Sequence, residues 1–341
     1  MNPQILQYAE VEPRDWDNFV HSSSLGYAHL LYDVIAIDRW EHFINLSFAV
    51  LDKDKDELCM VSQLHLEKYE SDDAVNRLHS RWGLAYKDNL PRKEFNKLRT
   101  CYIEYIDSLI EKYNAKSFEN SFSALSDYNQ PPYVKINPGI WFGFQPNMRY
   151  TSVIDLKKDD LLVDCEQTTR AAIRKISSED KYDISEAQSD ECNFQIYDRL
   201  LKETYTRSGA ASIAIPESYN RNIFFKLLPK GISRVFFLRN RDDGENIATV
   251  CILFYHNTAY YWWGGSKSDC EVGVNKYLLF KVIEIIKNEY AVNYETYWFE
   301  TGATYPYVRA GKQKGLSDYK KSFGTFLHPI LSGHYVMNRS D

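Results

Sequence analysis

The sequence lacks the short motifs that identify several large enzyme classes. It contains no Gly-x-x-x-x-Gly-Lys-Ser/Thr loop, no Gly-x-Ser-x-Gly turn and no His-Glu-x-x-His pair. Those motifs supply the phosphate cradle of nucleotide hydrolases, the nucleophile of serine hydrolases and the zinc ligands of many metalloproteases. We therefore do not expect any of these three reactions.

Closely spaced cysteines are also missing. The six cysteines include no Cys-x-x-Cys pair, and none has a histidine at zinc-finger spacing. Structural zinc sites and disulfide frameworks need such patterns. We interpret the six as buried or incidental thiols and expect no metal site; they are Cys59, Cys101, Cys165, Cys192, Cys251 and Cys270.

Long hydrophobic runs are absent, since no uninterrupted apolar stretch approaches the roughly 18 residues that a membrane helix requires. The first sixteen residues contain Glu10, Glu12, Arg14 and Asp15 and form no basic segment leading into an apolar one. We expect a cytoplasmic protein without membrane insertion.

The composition is that of an ordinary folded protein. Of the 341 residues, 44% are hydrophobic and 26% are charged, a balance that disfavours disorder and leaves enough length for two domains. The formal net charge of -6 disfavours broad nucleic-acid binding, although a local basic pocket could still hold a tRNA end or the phosphates of CoA.

Hydrophobic periodicity predicts an α+β fold. Residues 92–114 carry apolar side chains at helical spacing, and residues 233–239, 246–255 and 258–263 read as three strands joined by tight turns. The two halves of the chain repeat a similar order of helices and strands. We predict two related units, residues 1–150 and residues 151–341.

The densest cluster of positive charge follows an aromatic strand that ends in Glu300. A glycine-broken loop and a short helical segment then deliver five cations against the single acid Asp318. In a chain of negative net charge, this segment predicts a pocket for an anion; its cations are Arg309, Lys312, Lys314, Lys320 and Lys321.

Four stretches in order resemble one family. Residues 151–156, residues 170–175 with Arg170 and Arg174, residues 261–266, and residues 315–324 are similar to the Fem-type (FemA/FemB/FemX-like) transferases and GNAT-related acyltransferases. The helix around Trp16 and the Ser80-Arg-Trp-Gly83 segment also resemble the first domain of that family.

The resemblance implies two tandem GNAT-like domains with mixed, largely antiparallel sheets flanked by helices, and a main site in the second domain. It also implies transfer of an acyl or aminoacyl group, from a CoA thioester or an aminoacyl-tRNA, to an amine on a carbohydrate or cell-envelope precursor. The donor is then a substrate, and no cofactor is bound permanently. The acceptor is a small or nucleotide-linked molecule.

Two departures leave the donor open. The chain has no heptad insertion of the kind that forms a coiled-coil arm in many tRNA-dependent members. Acetyl-CoA users often have an Arg/Gln-x-x-Gly-x-Gly/Ala turn for the pyrophosphate, and residues 264–274 match it only partly. The 3′ end of a tRNA and CoA both remain possible partners.

Glu300 is the first candidate for the general base, because burial at the end of an aromatic strand raises the pKa of a carboxylate. The alternative is a capping or salt-bridging carboxylate. Tyr297 is a candidate general acid, or its aromatic ring could line the site, although most of the 26 tyrosines must be structural.

The remaining candidates would bind substrate. Backbone amides near the Gly-Gly pair could hold an oxyanion, unless that pair is only a turn. Lys320, with its aromatic neighbour Tyr319, could bind a phosphate or carboxylate, as could two arginines on one helix face; the alternative for each is a solvated side chain. The full set is Lys320, Tyr319, Arg170, Arg174, Arg309, Trp263, Gly264, Gly265 and Ser266.

Two other classes of function stay open at this point. The chain could be a non-catalytic module that binds an anionic glycan or nucleotide-sugar, or an assembly partner in a biosynthetic complex. Loss of the phosphate turn favours these alternatives, whereas Glu300 and the Lys320 stretch favour an enzyme.

Overall fold

The computed structural model describes residues 1–37, 43–67, 76–132, 135–208, 216–290 and 297–337. The chain packs into two compact units. Unit 1 comprises Met1–Arg149 and Pro329–Asp341, and unit 2 comprises Tyr150–His328. The C-terminal segment, which the sequence assigned to the second domain, thus packs with unit 1, and the boundary at residue 150 stays a prediction about independent domains.

The strands are named in chain order. They are β1 (Pro3–Gln7), β2 (Phe43–Asn45), β3 (Phe48–Asp52), β4 (Glu57–Ser62), β5 (His65–Glu67), β6 (Arg77–Ser80), β7 (Leu84–Tyr86), β8 (Phe118–Phe122), β9 (Gln145–Asp155), β10 (Tyr182–Glu186), β11 (Ser233–Asn240), β12 (Asn246–Tyr255), β13 (Thr258–Ser266), β14 (Trp298–Thr304) and β15 (Phe326–Tyr335).

The α-helices are named in the same way. They are α1 (Pro13–Ser22), α2 (Tyr32–Ile37), α3 (Arg92–Tyr113), α4 (Leu161–Asp164), α5 (Gln167–Glu179), α6 (Glu191–Arg207), α7 (Glu217–Asn222), α8 (Val274–Ile285) and α9 (Lys312–Lys321).

Unit 1 contains two groups of paired strands. Strands β1, β3, β4 and β7 form an antiparallel sheet, and β8 pairs antiparallel with β15 and parallel with β6, which continues through β5 to β2. Strands β2 and β3 are separated by a turn, in which the Asn45 side chain accepts a hydrogen bond from the Ser47 N–H. The predicted helix over 92–114 is confirmed, and it ends where Asn114 adopts a left-handed φ of 48°.

Unit 2 is built on one sheet with the strand order β10-β11-β12-β13-β14-β9. All neighbours are antiparallel except β13 and β14, which run parallel. The predicted meander of three strands is confirmed as β11, β12 and β13. The fold is therefore α+β with mixed, largely antiparallel sheets, as the sequence predicted.

Helices cover both faces of the unit 2 sheet. Helices α5 and α8 contact each other, and their buried residues share one apolar core with the sheet. Helix α6 contacts β12, β13 and α7, and its buried residues Phe194, Tyr197, Leu200 and Leu201 lie outside that core. We therefore distinguish an α5/α8 face and an α6/α7 face of the sheet.

Two helices of unit 2 adjoin irregular backbone. Helix α8 begins at Val274, directly after Gly273 with a φ of 102°. Helix α7 ends at Asn222 and is followed by a π-helical turn, Ile223–Leu227. None of the helices in the described ranges is both long enough and apolar enough to cross a membrane.

Candidate active site

Strands β13 and β14 separate in the middle of the unit 2 sheet. Their parallel pairing joins Thr258 to Trp298 and ends with Tyr260 opposite Glu300. Beyond that point β13 runs to Ser266 and β14 to Thr304, and these two fully described segments do not pair with each other. A cleft therefore opens in the sheet directly after Tyr260 and Glu300.

A β-bulge lies next to the opening on each strand. On β13, Trp262 is the extra residue between the pairs Ile252–Tyr261 and Cys251–Trp263. On β14, Thr301 is the extra residue, and its hydroxyl donates to the Ser152 carbonyl at 3.1 Å. Because a bulge bends and twists its strand, the two bulges account for the separation.

Glu300 is a buried carboxylate at the apex of this cleft, with 4% of its surface exposed. Residues opposite each other in neighbouring strands project to the same face of the sheet, so Glu300 and Tyr260 lie side by side. Burial, followed by the charge of Glu300, raises the pKa of the Tyr260 phenol. The tyrosine is thus a neutral hydroxyl beside the carboxylate.

Lys320 reaches the same place from helix α9. Its Nζ atom donates a hydrogen bond to the Ala303 carbonyl at 2.5 Å. Burial lowers the pKa of Lys320 to about 8, and the charge of Glu300 acts in the opposite direction. Lys320 therefore lies within electrostatic reach of Glu300, and its ammonium group loses a proton more readily than that of a solvated lysine.

Gly302 makes room for this pair. It has a φ of +86°, and a Cβ atom built there would lie 3.3 Å from the Lys320 Nζ and 3.3 Å from the Tyr260 hydroxyl. Both polar atoms therefore flank the same glycine, two residues after Glu300. A side chain at this position would compete with them for space and would strain the backbone.

Tyr297, predicted as a catalytic residue, lies elsewhere. It precedes Glu300 by three residues, so the two Cα atoms are about 10 Å apart along the strand. Its ring carries the Lys157 ammonium 4.0 Å from the ring centroid, and its N–H donates to the Asn257 carbonyl at 2.7 Å. These contacts hold Tyr297 at the opposite end of β14 from the cleft.

The three arginines that the sequence suggested as substrate-binding residues differ in their surroundings. The Nη1 atom of Arg170 donates to the carbonyls of Val163 and Cys165, at 2.7 and 2.6 Å, and so closes the end of helix α4. Arg174, one turn further on, is exposed, and Arg309 is exposed in the loop before α9. Arg170 therefore has a structural partner, whereas Arg174 and Arg309 face solvent.

The basic segment spreads its charges around helix α9 rather than into one pocket. Lys314 forms an ion pair with Asp318, and Lys312 is exposed. Tyr319 packs its ring on Phe323 and donates to the Asn275 carbonyl at 3.4 Å. Among the five predicted cations, Lys320 is the one that the structure brings to Glu300.

The glycine pair Gly264 and Gly265 serves helix packing and also offers a candidate oxyanion donor. A Cβ atom on Gly265 would lie 2.6 Å from the Leu200 carbonyl oxygen, so this glycine lets helix α6 approach β13. The Ser266 N–H donates to the Thr204 hydroxyl at 2.8 Å and is thereby occupied. Alternation along the strand turns the Gly264 N–H in the same direction as that of Ser266, which leaves Gly264 as the candidate oxyanion donor.

The start of helix α8 carries acidic side chains. Asp269 and Glu271 stand in the loop before it, and Glu271 pairs with Lys175. Gly273, the residue before the helix, lies against Ala172, with 3.1 Å from its built Cβ atom to the Ala172 Cβ. These carboxylates disfavour the binding of a pyrophosphate at this helix end.

The sequence did not single out Tyr260, Thr301 or Gly302. Tyr260 comes into register with Glu300 only through a parallel pairing across helix α8, which local periodicity does not reveal. The one available signal was the glycine two residues after a strand glutamate, since glycine inside a strand often marks a bulge. Within the described residues, no cluster of three or more histidine, cysteine or acidic side chains could hold a metal ion.

Comparison with protein families finds a similarity in the second half of the chain. Residues 164–320 match the family model described as an acetyltransferase (GNAT) domain. This range contains Glu300 and ends at Lys320. Residues 164–320, a little less than half of the chain, are therefore similar to a GNAT acetyltransferase domain.

Solved structures resemble the chain over nearly its whole length. FemX shares 15% identity with a TM-score of 0.67, covering 99% of this chain and 98% of that one. A tandem GNAT protein from the clavulanic acid biosynthesis pathway shares 10% with a TM-score of 0.59, covering 100% of each. L-PGS from Bacillus licheniformis shares 13% with a TM-score of 0.55, covering 96% of this chain and 93% of that one.

These likenesses establish the fold. The predicted architecture of two tandem GNAT-like units, and the resemblance to Fem-like and GNAT-related transferases, are confirmed. No curated protein matches the sequence.

Proposed function

We propose that this chain, an N-acyltransferase of GNAT type with a Fem-like tandem fold, transfers an acyl or aminoacyl group to an amine on a carbohydrate or cell-envelope precursor. The observation that carries the proposal is the pair of Glu300 and Lys320 at the point where β13 and β14 separate. It supports a reaction at the apex of the cleft, inside the matched GNAT domain.

Glu300 serves as the general base. The amine nitrogen attacks the carbonyl carbon of the donor, a C–N bond forms, and the nitrogen gives up a proton to the carboxylate. The C–S bond of a thioester or the C–O bond of an aminoacyl ester then breaks, and the leaving sulfur or oxygen takes a proton. A carboxylate that is only 4% exposed suits this role, because exclusion of water favours uptake of the proton.

Lys320 acts in its protonated form. Its ammonium stabilises the negative charge that develops on the carbonyl oxygen and supplies the proton for the leaving group. A lysine whose pKa is about 8 can give up that proton near neutral pH far more readily than a solvated lysine. The Gly264 N–H is the second candidate donor to the oxyanion.

The donor approaches along the open edges of the cleft. Strand edges offer N–H and C=O groups to an extended ligand, which suits the amide-bearing arm of CoA as well as an aminoacyl ester. The acidic loop before α8 opposes a pyrophosphate at that helix end and so favours the aminoacyl donor. The experiment below therefore tests both a CoA thioester and aminoacyl-tRNA as donors.

The test combines the purified chain with an amino-sugar panel and one donor at a time, either acetyl-CoA or a mixture of aminoacyl-tRNAs, and detects products by mass spectrometry. A product whose mass increases by the acyl or aminoacyl group, and which requires the chain, supports the proposal and identifies the donor. Amino-sugar binding without turnover on either donor would indicate the non-catalytic module instead. Thermal shift reports that binding, because a ligand at 100 times its dissociation constant adds about 2.7 kcal/mol of apparent stability.

A further inference from the structure

Trp262 and Trp263 are consecutive residues of β13, yet both contact the same ring. The Tyr219 centroid lies 5.9 Å from that of Trp262 at 75° and 6.2 Å from that of Trp263 at 85°. Neighbouring residues of a regular strand point to opposite faces. The bulge at Trp262 removes this alternation and turns both indoles to one side.

A fourth ring completes the group. Tyr205 on α6 meets Trp263 with a centroid distance of 6.1 Å and an angle of 72°. The Trp263 Nε1 atom donates to the Tyr219 hydroxyl at 3.4 Å, which fixes the indole. Tyr219 is buried, whereas Trp262, Trp263 and Tyr205 keep part of their surface open. We call these four residues the aromatic cluster.

The aromatic cluster lies on the same face of the sheet as Glu300. Phe299 belongs to the apolar core under α8, and Tyr261 packs against that core. Because successive residues of a strand point to opposite faces, Tyr260 and Glu300 point to the α6/α7 face. Tyr205 and Tyr219 belong to those two helices. Trp262 follows Tyr260 by two residues, about 7 Å along the strand.

We propose that the aromatic cluster is the acceptor subsite and that it binds the pyranose ring of an amino-sugar whose amine reaches Glu300. The proposal rests on the proposed function. A separation of two strand residues matches one sugar ring, with the ring against Trp262 and its amine at the carboxylate. The aliphatic C–H face of a pyranose packs on an indole, and its hydroxyls suit the polar edges beside it.

The ring geometry favours a sugar over a nucleobase. A planar base is best held between parallel aromatic faces. The rings here meet at 72° to 85° and form no parallel slot. A box of crossed rings also suits a quaternary ammonium ion, and that ligand is therefore tested directly.

The first experiment measures binding by intrinsic tryptophan fluorescence and calorimetry with three probes: glucosamine, adenosine and tetramethylammonium. We expect a saturable response to glucosamine that is lost in W262L and W263L, partly kept in W262F, and unchanged in W141L, whose tryptophan lies in unit 1. A response to adenosine or tetramethylammonium in place of glucosamine, or no response to glucosamine, overturns the proposal. A response that survives in W262L and W263L does the same.

The second experiment measures transfer. W262L should raise the KM for the amino-sugar at least about tenfold while kcat at saturating acceptor and the KM for the donor change less than about threefold. A fall in kcat with an unchanged acceptor KM overturns the subsite. The experiments distinguish failure of one proposal from failure of the other. Glucosamine binding to the aromatic cluster without turnover would reject only the transferase function. Turnover that is insensitive to W262L would reject only the acceptor subsite.

Discussion

Tyr260 and Glu300 form the last pair between β13 and β14, and bulges at Trp262 and Thr301 lie within two residues of them. The carboxylate thus belongs to a buried residue held in the sheet at the point where the two strands cease to pair. Rigid strands position a catalytic group more accurately than loops do. This relationship makes Glu300 the residue on which the proposed chemistry depends.

The variant E300Q should stay folded and lose activity. Glutamine keeps the shape of the side chain but cannot accept the proton of the attacking amine, so we expect kcat to fall at least about tenfold. Steady-state kinetics and the thermal unfolding midpoint of the same preparation provide the measurement. The matched control is E111Q, since Glu111 is an exposed residue of helix α3 in unit 1. Equal rates in E300Q and the wild type would exclude Glu300 as the base.

The activity should depend on the protonation of Lys320. Burial lowers its pKa to about 8, and the protonated amine is the active form, so kcat/KM should fall as the pH rises through about 8. In K320R the guanidinium stays charged, so the alkaline limb should move upward by more than one pH unit. K320M should be slower at every pH and lose this limb. An unchanged alkaline limb in K320M would assign the titration to another group.

Periodicity was enough to predict the main elements of unit 2. The meander of β11, β12 and β13 follows from apolar spacing and turn residues, both of which are local signals. The aromatic run that leads to Glu300 was also local information, but the predicted strand end at Glu300 was wrong, because β14 continues past a bulge at Thr301 to Thr304. Lys320 entered through the resemblance of its stretch to a family, and the structure brings it to the carboxylate.

Long-range geometry escaped prediction. The partnership of Tyr260 with Glu300 depends on a parallel pairing between strands joined by a whole helix, and no local pattern encodes that register. Arg170 looked available for a ligand, but its carbonyl partners Val163 and Cys165 become apparent only once helix α4 has formed. Tyr297 looked close to Glu300 in sequence, but three strand residues extend about 10 Å.

Gly265 should be required for packing rather than for chemistry. Its built Cβ atom meets the Leu200 backbone at 2.6 Å, and a helix backbone cannot move aside as a side chain can. We expect G265A to lower the free energy of unfolding by about 1–3 kcal/mol. The control G315A lies in helix α9 with nothing within 4 Å of its Cβ, and it should raise stability by about 0.5–1 kcal/mol. Urea titrations of the two variants decide the point, and equal stabilities would contradict the role of Gly265.

Alanine at Gly302 should reduce activity more than alanine at Gly231, a glycine that also has a positive φ. Both Gly302 (φ +86°) and Gly231 (φ +69°) have positive φ, so alanine at either position costs about 1–2 kcal/mol of backbone strain. Only at Gly302 does the new Cβ also approach the Lys320 Nζ and the Tyr260 hydroxyl, whereas nothing lies within 4 Å of it at Gly231.

We therefore expect G302A and G231A to be destabilised by similar amounts, but G302A alone to lose at least about tenfold in kcat/KM, because Lys320 is displaced from Glu300. Unfolding midpoints and initial rates of the two variants, measured side by side, separate the shared strain from the local effect. Equal activities in the two variants would mean that the space beside Gly302 is irrelevant to the reaction. Because strain at the backbone is common to both, a selective loss in G302A would place the reacting groups at the apex of the β13–β14 cleft.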